Sequence, residues 1–170
     1  GLWDLDNPHY ILVREHRPLK RALAVAGKIW CGSLKDITVL NPVAECCESN
    51  FTVGHQSGRR SVQDMVCSGY AVWIALENST KIFLYHALSA EFLLEMDLSA
   101  AVNLKLSACD DIVRQHKTAC LRVTCMIVCK DLLWVGTSAG VIVVIPVLKV
   151  TSTTGPGSLK PPRAIGKCLP

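Results

Sequence analysis

Three stretches of the chain repeat one arrangement of apolar and polar positions. Each has an apolar run, a short turn, a Trp preceded by an apolar residue, a second turn and another apolar run. The first surrounds Trp30, from Leu23 to Pro42. The second surrounds Trp73, from Met65 to His86, and the third surrounds Trp134, from Met126 to Pro146. Runs rich in Val and Ile, punctuated by Gly, Ser and Asn, predict strands joined by tight turns. The Trp residues stand 43 and 61 positions apart. The smaller interval is the length of one four-stranded propeller blade. The predicted fold is all-β: a partial β-propeller of WD40-like type, about three four-stranded blades of a larger ring.

Offsets from each Trp predict which strand face turns inward. Ile37 and Val39 follow Trp30 at +7 and +9, and Val141 and Val143 follow Trp134 at the same offsets. In the middle copy Ile82 and Leu84 stand at +9 and +11. Such an even insertion keeps one face toward the core, whereas an odd one flips it. Gly32, Gly136 and Gly140 sit in or beside the turns after Trp30 and Trp134. Trp30, Trp73, Trp134, Gly32, Gly136 and Gly140 are therefore the expected structural blade positions. Repetition also argues that the Trp rings pack between sheets rather than form a ligand cage.

Blades are expected over 17–54 and 60–98, with fourth strands near Asn50–Val53 and Phe92–Leu98, and an incomplete blade over 119–148. The longer Trp interval adds about 18 residues, read as an inter-blade excursion over 99–118. Within it, Cys109 to Lys117 places acids early and bases late, the order that a short helix favours. Residues 1–16 read as the end of a preceding blade or loop, with a strand at Tyr10–Val13. Residues 149–170 keep no apolar period and are rich in Thr, Ser, Gly, Pro and Lys, which predicts a flexible linker.

Two local patterns invite other readings. Leu132 to Leu148 contains no charged residue, close to the shortest membrane-spanning length. Gly136-Thr137-Ser138-Ala139-Gly140 interrupts it, and the β-branched run beyond favours a buried hairpin, so no transmembrane segment is expected. The same five residues match the G-x-S-x-G nucleophile elbow. That motif needs a strand turning into a helix, and Val141 to Ile145 is strand-forming, so Ser138 reads as a turn residue.

Half of the 170 residues are hydrophobic, 19% are charged and the net charge is +4. A disordered chain is excluded, and the acids are too evenly spread for a nucleic-acid domain, so no nucleic-acid partner is expected. Arg14, Arg17, Lys20, Arg21 and Lys28 read as a solvated basic cluster. Asn50-Phe51-Thr52 and Asn78-Ser79-Thr80 match the glycosylation pattern but read as strand-edge and turn residues. Lys160-Pro161-Pro162-Arg163 resembles a polyproline ligand, though a Pro-containing linker is the plainer reading. The nine Cys residues show no C-x-x-C pair. Cys120, Cys125 and Cys129 with His116 come nearest to a metal set, and none is expected there. Reduced thiols fit a cytoplasmic location. No leader is expected after Gly1, and the chain reads as a piece of something longer. Catalytic residues, cofactors and metals are all expected to be none.

Ile112 to Thr124, Val128-Cys129 and Leu132 to Val141 closely resemble the C-terminal propeller of large Rho guanine nucleotide exchange factors. Ile29-Trp30-Cys31-Gly32, and Val72-Trp73 with Leu84-Tyr85-His86, are similar to its preceding blades. The likeness covers roughly residues 18–147 and stops after Pro146, where further blades are expected. Trp-Cys-Gly and Leu-Trp-Val-Gly-Thr also resemble blades of JNK-interacting scaffold proteins. In the exchange-factor family, a Dbl-homology bundle and a pleckstrin-homology domain perform exchange, and nothing here resembles either. The resemblance thus implies a non-catalytic propeller that meets protein partners through its loops, with the Rho-family GTPase engaged only by the parent. The alternative it implies is the propeller of a scaffold in kinase signalling or vesicle transport.

Overall fold

The computed structural model describes residues 17–54 and 60–167. Twelve strands form three antiparallel four-stranded sheets. The first contains β1 (Arg21–Val25), β2 (Lys28–Ser33), β3 (Asp36–Asn41) and β4 (Cys46–Thr52), paired in that order. The second contains β5 (Val62–Ser68), β6 (Ala71–Leu76), β7 (Lys81–His86) and β8 (Phe92–Asp97). Helices α1 (Ser99–Leu106) and α2 (Asp111–Ala119) follow. The third sheet contains β9 (Val123–Cys129), β10 (Leu132–Thr137), β11 (Ile142–Pro146) and β12 (Ile165–Lys167). Two-residue turns close the first hairpin of each sheet. Ala26 and Gly27, and Lys130 and Asp131, all have positive φ, the conformation whose twist matches the flanking strands.

The sheets stack face to face in one sense. The Trp30 face of the first packs with Val25, Ile37 and Val39 against Met65, Val72, Ile74 and Phe83 of the second. The opposite face of the second, with Trp73, Ile82 and Leu84, packs against Met126, Leu133, Val135 and Val143 of the third. Being covered on both sides explains why β6, Ala-Val-Trp-Ile-Ala-Leu, is apolar throughout and buried at every position. In β10 burial alternates, Leu133 and Val135 facing in while Leu132, Trp134 and Gly136 are half-buried.

Three expectations need correction. Val141 and Val143 are buried toward the second sheet as expected, but they do not share the face of Trp134, whose neighbours on β11 are Val144 and, beside Gly136, Ile142. Trp30 pairs with Val39 and Trp73 with Leu84, so the three offsets are nine, eleven and ten. The Thr137–Val141 turn absorbs the odd residue, with Thr137 Oγ1 donating to the Val141 carbonyl at 2.6 Å and Gly140 at φ +76°. Since Val141 through Ile145 is apolar at every position, no alternation marked the shift. Second, the third sheet has a fourth strand. β12 pairs with β11 from within the stretch expected as linker, and three residues are too few to carry a period. Third, the residues before β12 are tied down rather than free. Val147, Leu148, Val150, Leu159 and Ala164 pack against the second core. His86 secures them: its Nδ1 accepts from the Leu88 and Ser89 amides, which leaves the proton on Nε2 to donate to the Thr151 carbonyl at 2.9 Å. The strand expected at Tyr10–Val13 lies outside the described residues.

Candidate interaction surfaces

Trp30 and Trp73 are fully buried at the same register position of their sheets, opposite Leu23 and Val66 on the first strands. Trp134, opposite Ile127, occupies the third such position but is only half-buried. All three indole N–H groups lack an acceptor among the described residues. A buried orphan donor costs about 1–3 kcal/mol, so ring packing outweighs a hydrogen bond at each site. Gly32 gives the crossing room. A Cβ there would lie 3.1 Å from Val62, the first residue of the next sheet. At Gly136, its counterpart, a Cβ would meet Cys125 Sγ at 2.7 Å.

Polar groups seam the two covered junctions. The Val62 amide donates to the Leu34 carbonyl, and the Val123 amide donates to the Ser79 carbonyl, each joining a first strand to the preceding sheet's turn. Arg21 Nε donates to the Gln63 carbonyl, and Gln63 Nε2 in turn donates to the Thr124 carbonyl. Asp64 Oδ2 accepts from the Met126 amide at 2.7 Å. The basic cluster is absorbed into such pairings. Arg17 meets Asp36 at 2.8 Å, Lys20 meets Glu77 at 2.7 Å and Lys28 meets Glu48, while Arg14 lies outside the described residues.

The outer face of the third sheet has no such cover among the described residues. Cys125, Ile127, Cys129, Trp134, Gly136 and Ile142 line an apolar recess of about 360 Å³, and Ile127 is 63% exposed. Cys125, Ile127 and Cys129 of β9 lie on this face, and because Met126 and Val128 between them are also apolar, no polar alternation in the sequence marks it as half-open. A second surface is the α1–α2 hairpin inserted between the second and third sheets, where Leu104, Ile112 and Val113 are exposed.

The chemistry-bearing candidates of the sequence are held in structural bonds or lie apart. Ser138 Oγ accepts from the Arg122 amide and donates to the Cys120 carbonyl, pinning the turn to the chain that leaves α2. His116 lies on α2, whereas Cys125 and Cys129 lie on the open sheet face. Among the described residues no three His, Cys, Asp or Glu side chains gather to hold a metal. Burial pushes the Cys31 and Cys67 thiols up, away from the reactive thiolate. Asn50 accepts from Thr38 Oγ1 within the first sheet, and Asn78 is a turn residue at φ +53°. Pro161 and Pro162 sit beside Met96, Leu98 and Ala101. No helix among the described residues is long and apolar enough to cross a membrane.

Three stacked antiparallel sheets, the first two each offering a Trp face to the next, define a segment of a β-propeller. The WD40 repeated-domain family matches residues 1–155, and the chain belongs to that family. It is similar to Rho guanine nucleotide exchange factor 17 of Mus musculus, 41% identical over 163 residues, which is 95% of this chain and 8% of that protein. It is also similar to C-Jun-amino-terminal kinase-interacting protein 4 of Mus musculus, 30% identical over 97% of this chain and 12% of that one. The chain thus spans only about a tenth of the length of these relatives. Among solved structures, Saccharomyces cerevisiae Sqt1 aligns with a TM-score of 0.52 at 17% identity, over 71% of this chain and 28% of that one. That likeness concerns the fold alone.

Proposed function

We propose that this chain is a non-catalytic interaction segment of a cytoplasmic Rho guanine nucleotide exchange factor, with Trp30, Trp73 and Trp134 as its blade-packing positions. The carrying observation is the join of a propeller segment with 41% identity to Rho guanine nucleotide exchange factor 17 over nearly its whole length. Identity to the kinase-interacting relative is lower, 30%, which favours the exchange-factor reading over the scaffold. Rigid sheets displaying turns and a helical hairpin suit recognition rather than bond chemistry. On this reading the half-open Trp134 face receives a further blade of the ring. Activation of a Rho-family GTPase belongs to the parent protein, through domains unlike anything in this chain.

The test is release of a fluorescent guanine nucleotide from Rho-, Rac- and Cdc42-type GTPases with and without the chain. Unchanged release is expected. Acceleration that persists through repurification would overturn the non-catalytic reading.

A further inference from the structure

The chain between β11 and β12 is anchored at both ends of its proline pair. Leu159 and Ala164 pack against the second core, and β12 starts at Ile165. Between them, Lys160-Pro161-Pro162-Arg163 joins no helix, strand or turn. Each proline ring fixes its own φ at about −65° and pushes the residue before it to an extended conformation. Lys160, Pro161 and Pro162 are therefore set for a polyproline II helix, which advances about 9 Å in its three-residue turn. Such a helix is a three-edged prism, and exposure along this segment follows its edges. Leu159 and Pro162, three apart, are half-buried. Lys160 and Arg163, also three apart, are exposed, and so are Ser158 and Pro161. One edge thus lies on the chain, where Pro162 borders a cleft with Met96, Leu98 and Ala101, and two edges are free.

Charge indicates the partner. Neither Lys160 nor Arg163 meets a carboxylate among the described residues, whereas Arg17, Lys20, Lys28 and Lys81 each do. Glu95 and Asp97 border the same cleft as the prolines, but both are engaged. Lys81 pairs with Glu95, and Thr80 Oγ1 and the Ser99 amide donate to Asp97. A groove that receives a polyproline helix takes two edges of the prism and leaves the third outside. Here the third edge is the one that the chain itself covers. We infer that this segment is a ready-formed ligand for a proline-recognition domain of the SH3 kind in another protein. The aromatic-lined groove of that domain seats the Ser158–Pro161 edge, and carboxylates on its rim meet Lys160 and Arg163. The inference rests on the interaction-module reading and names the surface and the partner's chemistry. Because the segment is anchored on both sides, it has little chain entropy left to lose on binding.

The probe is an array of purified SH3 domains incubated with the labelled full chain. The variants are Lys160→Glu/Arg163→Glu and Pro161→Ala, with Lys130→Glu, in the turn between β9 and β10, as control. All four replaced side chains are exposed, so circular dichroism and melting of the variants should match the parent. Domains with acidic groove rims are expected to bind the parent, and more weakly as salt is raised. The double exchange should weaken them at least about tenfold and Pro161→Ala several-fold, while the control leaves them unchanged. Binding by no domain overturns the inference. Binding only to a free peptide of residues 156–164 overturns it as well, because the fold then hides the segment instead of presenting it. Vesicles containing phosphatidylserine are the other arm: binding that the double exchange abolishes, with no domain bound, assigns the cations to a lipid surface and overturns it too. Domains that bind the parent and every variant equally sink this site but leave the interaction-module reading standing.

Discussion

The Trp73 face of the second sheet and the Trp134 face of the third hold the same residue type at the same register, yet only the first is sealed. At Trp73 the neighbouring sheet supplies Met126, Leu133 and Val143, and the ring is fully buried. At Trp134 the ring lies half-buried beside an Ile127 that is 63% exposed. A blade is thus specified by its own sequence, but the energy of its Trp comes from the blade that follows. The same lesson holds one strand inward. Asp64 bonds forward to the Met126 amide, while Cys125, at the matching register opposite Gly136, lines the open recess.

The sharpest way to break this comparison is to truncate both rings. Trp73→Ala opens a large cavity between two sheets and should cost about 3–5 kcal/mol. Trp134→Ala removes a ring that water already reaches and should cost about 1 kcal/mol or less. Urea unfolding of both variants beside the parent measures the difference. Equal losses would mean that the Trp134 face is as well covered as the Trp73 face.

That contrast also marks what the chain made legible. The spacing of Trp30 and Trp73, with tight turns after each, was enough for blades. Two features escaped for physical reasons. β12 is three residues long and draws its place from pairing with β11, so no local period announces it. Val143 and Val144 are both apolar, and only the turn at Gly140 decides which faces the second sheet. The surfaces were harder still. Reading Cys109 to Lys117 as a short helix needed only charge order, but the placement of that helix beside α1 comes from tertiary contacts such as Thr118 with Asn103.

A smaller effect is expected from the polar seam. Asp64→Ala leaves the Met126 amide without its acceptor at a packed junction, a loss of about 1–3 kcal/mol. Cys125→Ala, on the open face, should stay within about 0.5 kcal/mol of the parent. Amide exchange at Met126 adds a local reading, since it should quicken in Asp64→Ala while Cys125→Ala leaves it unchanged. Unaltered exchange in Asp64→Ala would show that the two junction positions are equivalent after all.

The smallest expected effect is a pH dependence at the second covered junction. In the first sheet Thr52 Oγ1 donates to Asp36 at 2.7 Å, whereas in the second the carboxylate is on the last strand, where Asp97 Oδ1 accepts from Thr80 Oγ1 at 2.9 Å. Asp97 also accepts from the Ser99 amide at 2.9 Å, next to the start of α1. Burial alone would raise the Asp97 carboxyl, but the Ser99 and Thr80 bonds and the Lys81 charge outweigh it and hold the group below its ordinary value. A depressed folded value stabilises the fold above the unfolded carboxylate range of about 3.9, and that stabilisation disappears as pH falls through the folded value. Melting temperatures of the parent and Asp97→Asn should therefore converge as the pH drops from about 5 toward about 2.5, because the amide has no such proton to gain. Solvent screening keeps the convergence to a few degrees at most. Parallel melting curves across that range would mean that Asp97 does not hold α1 through its charge.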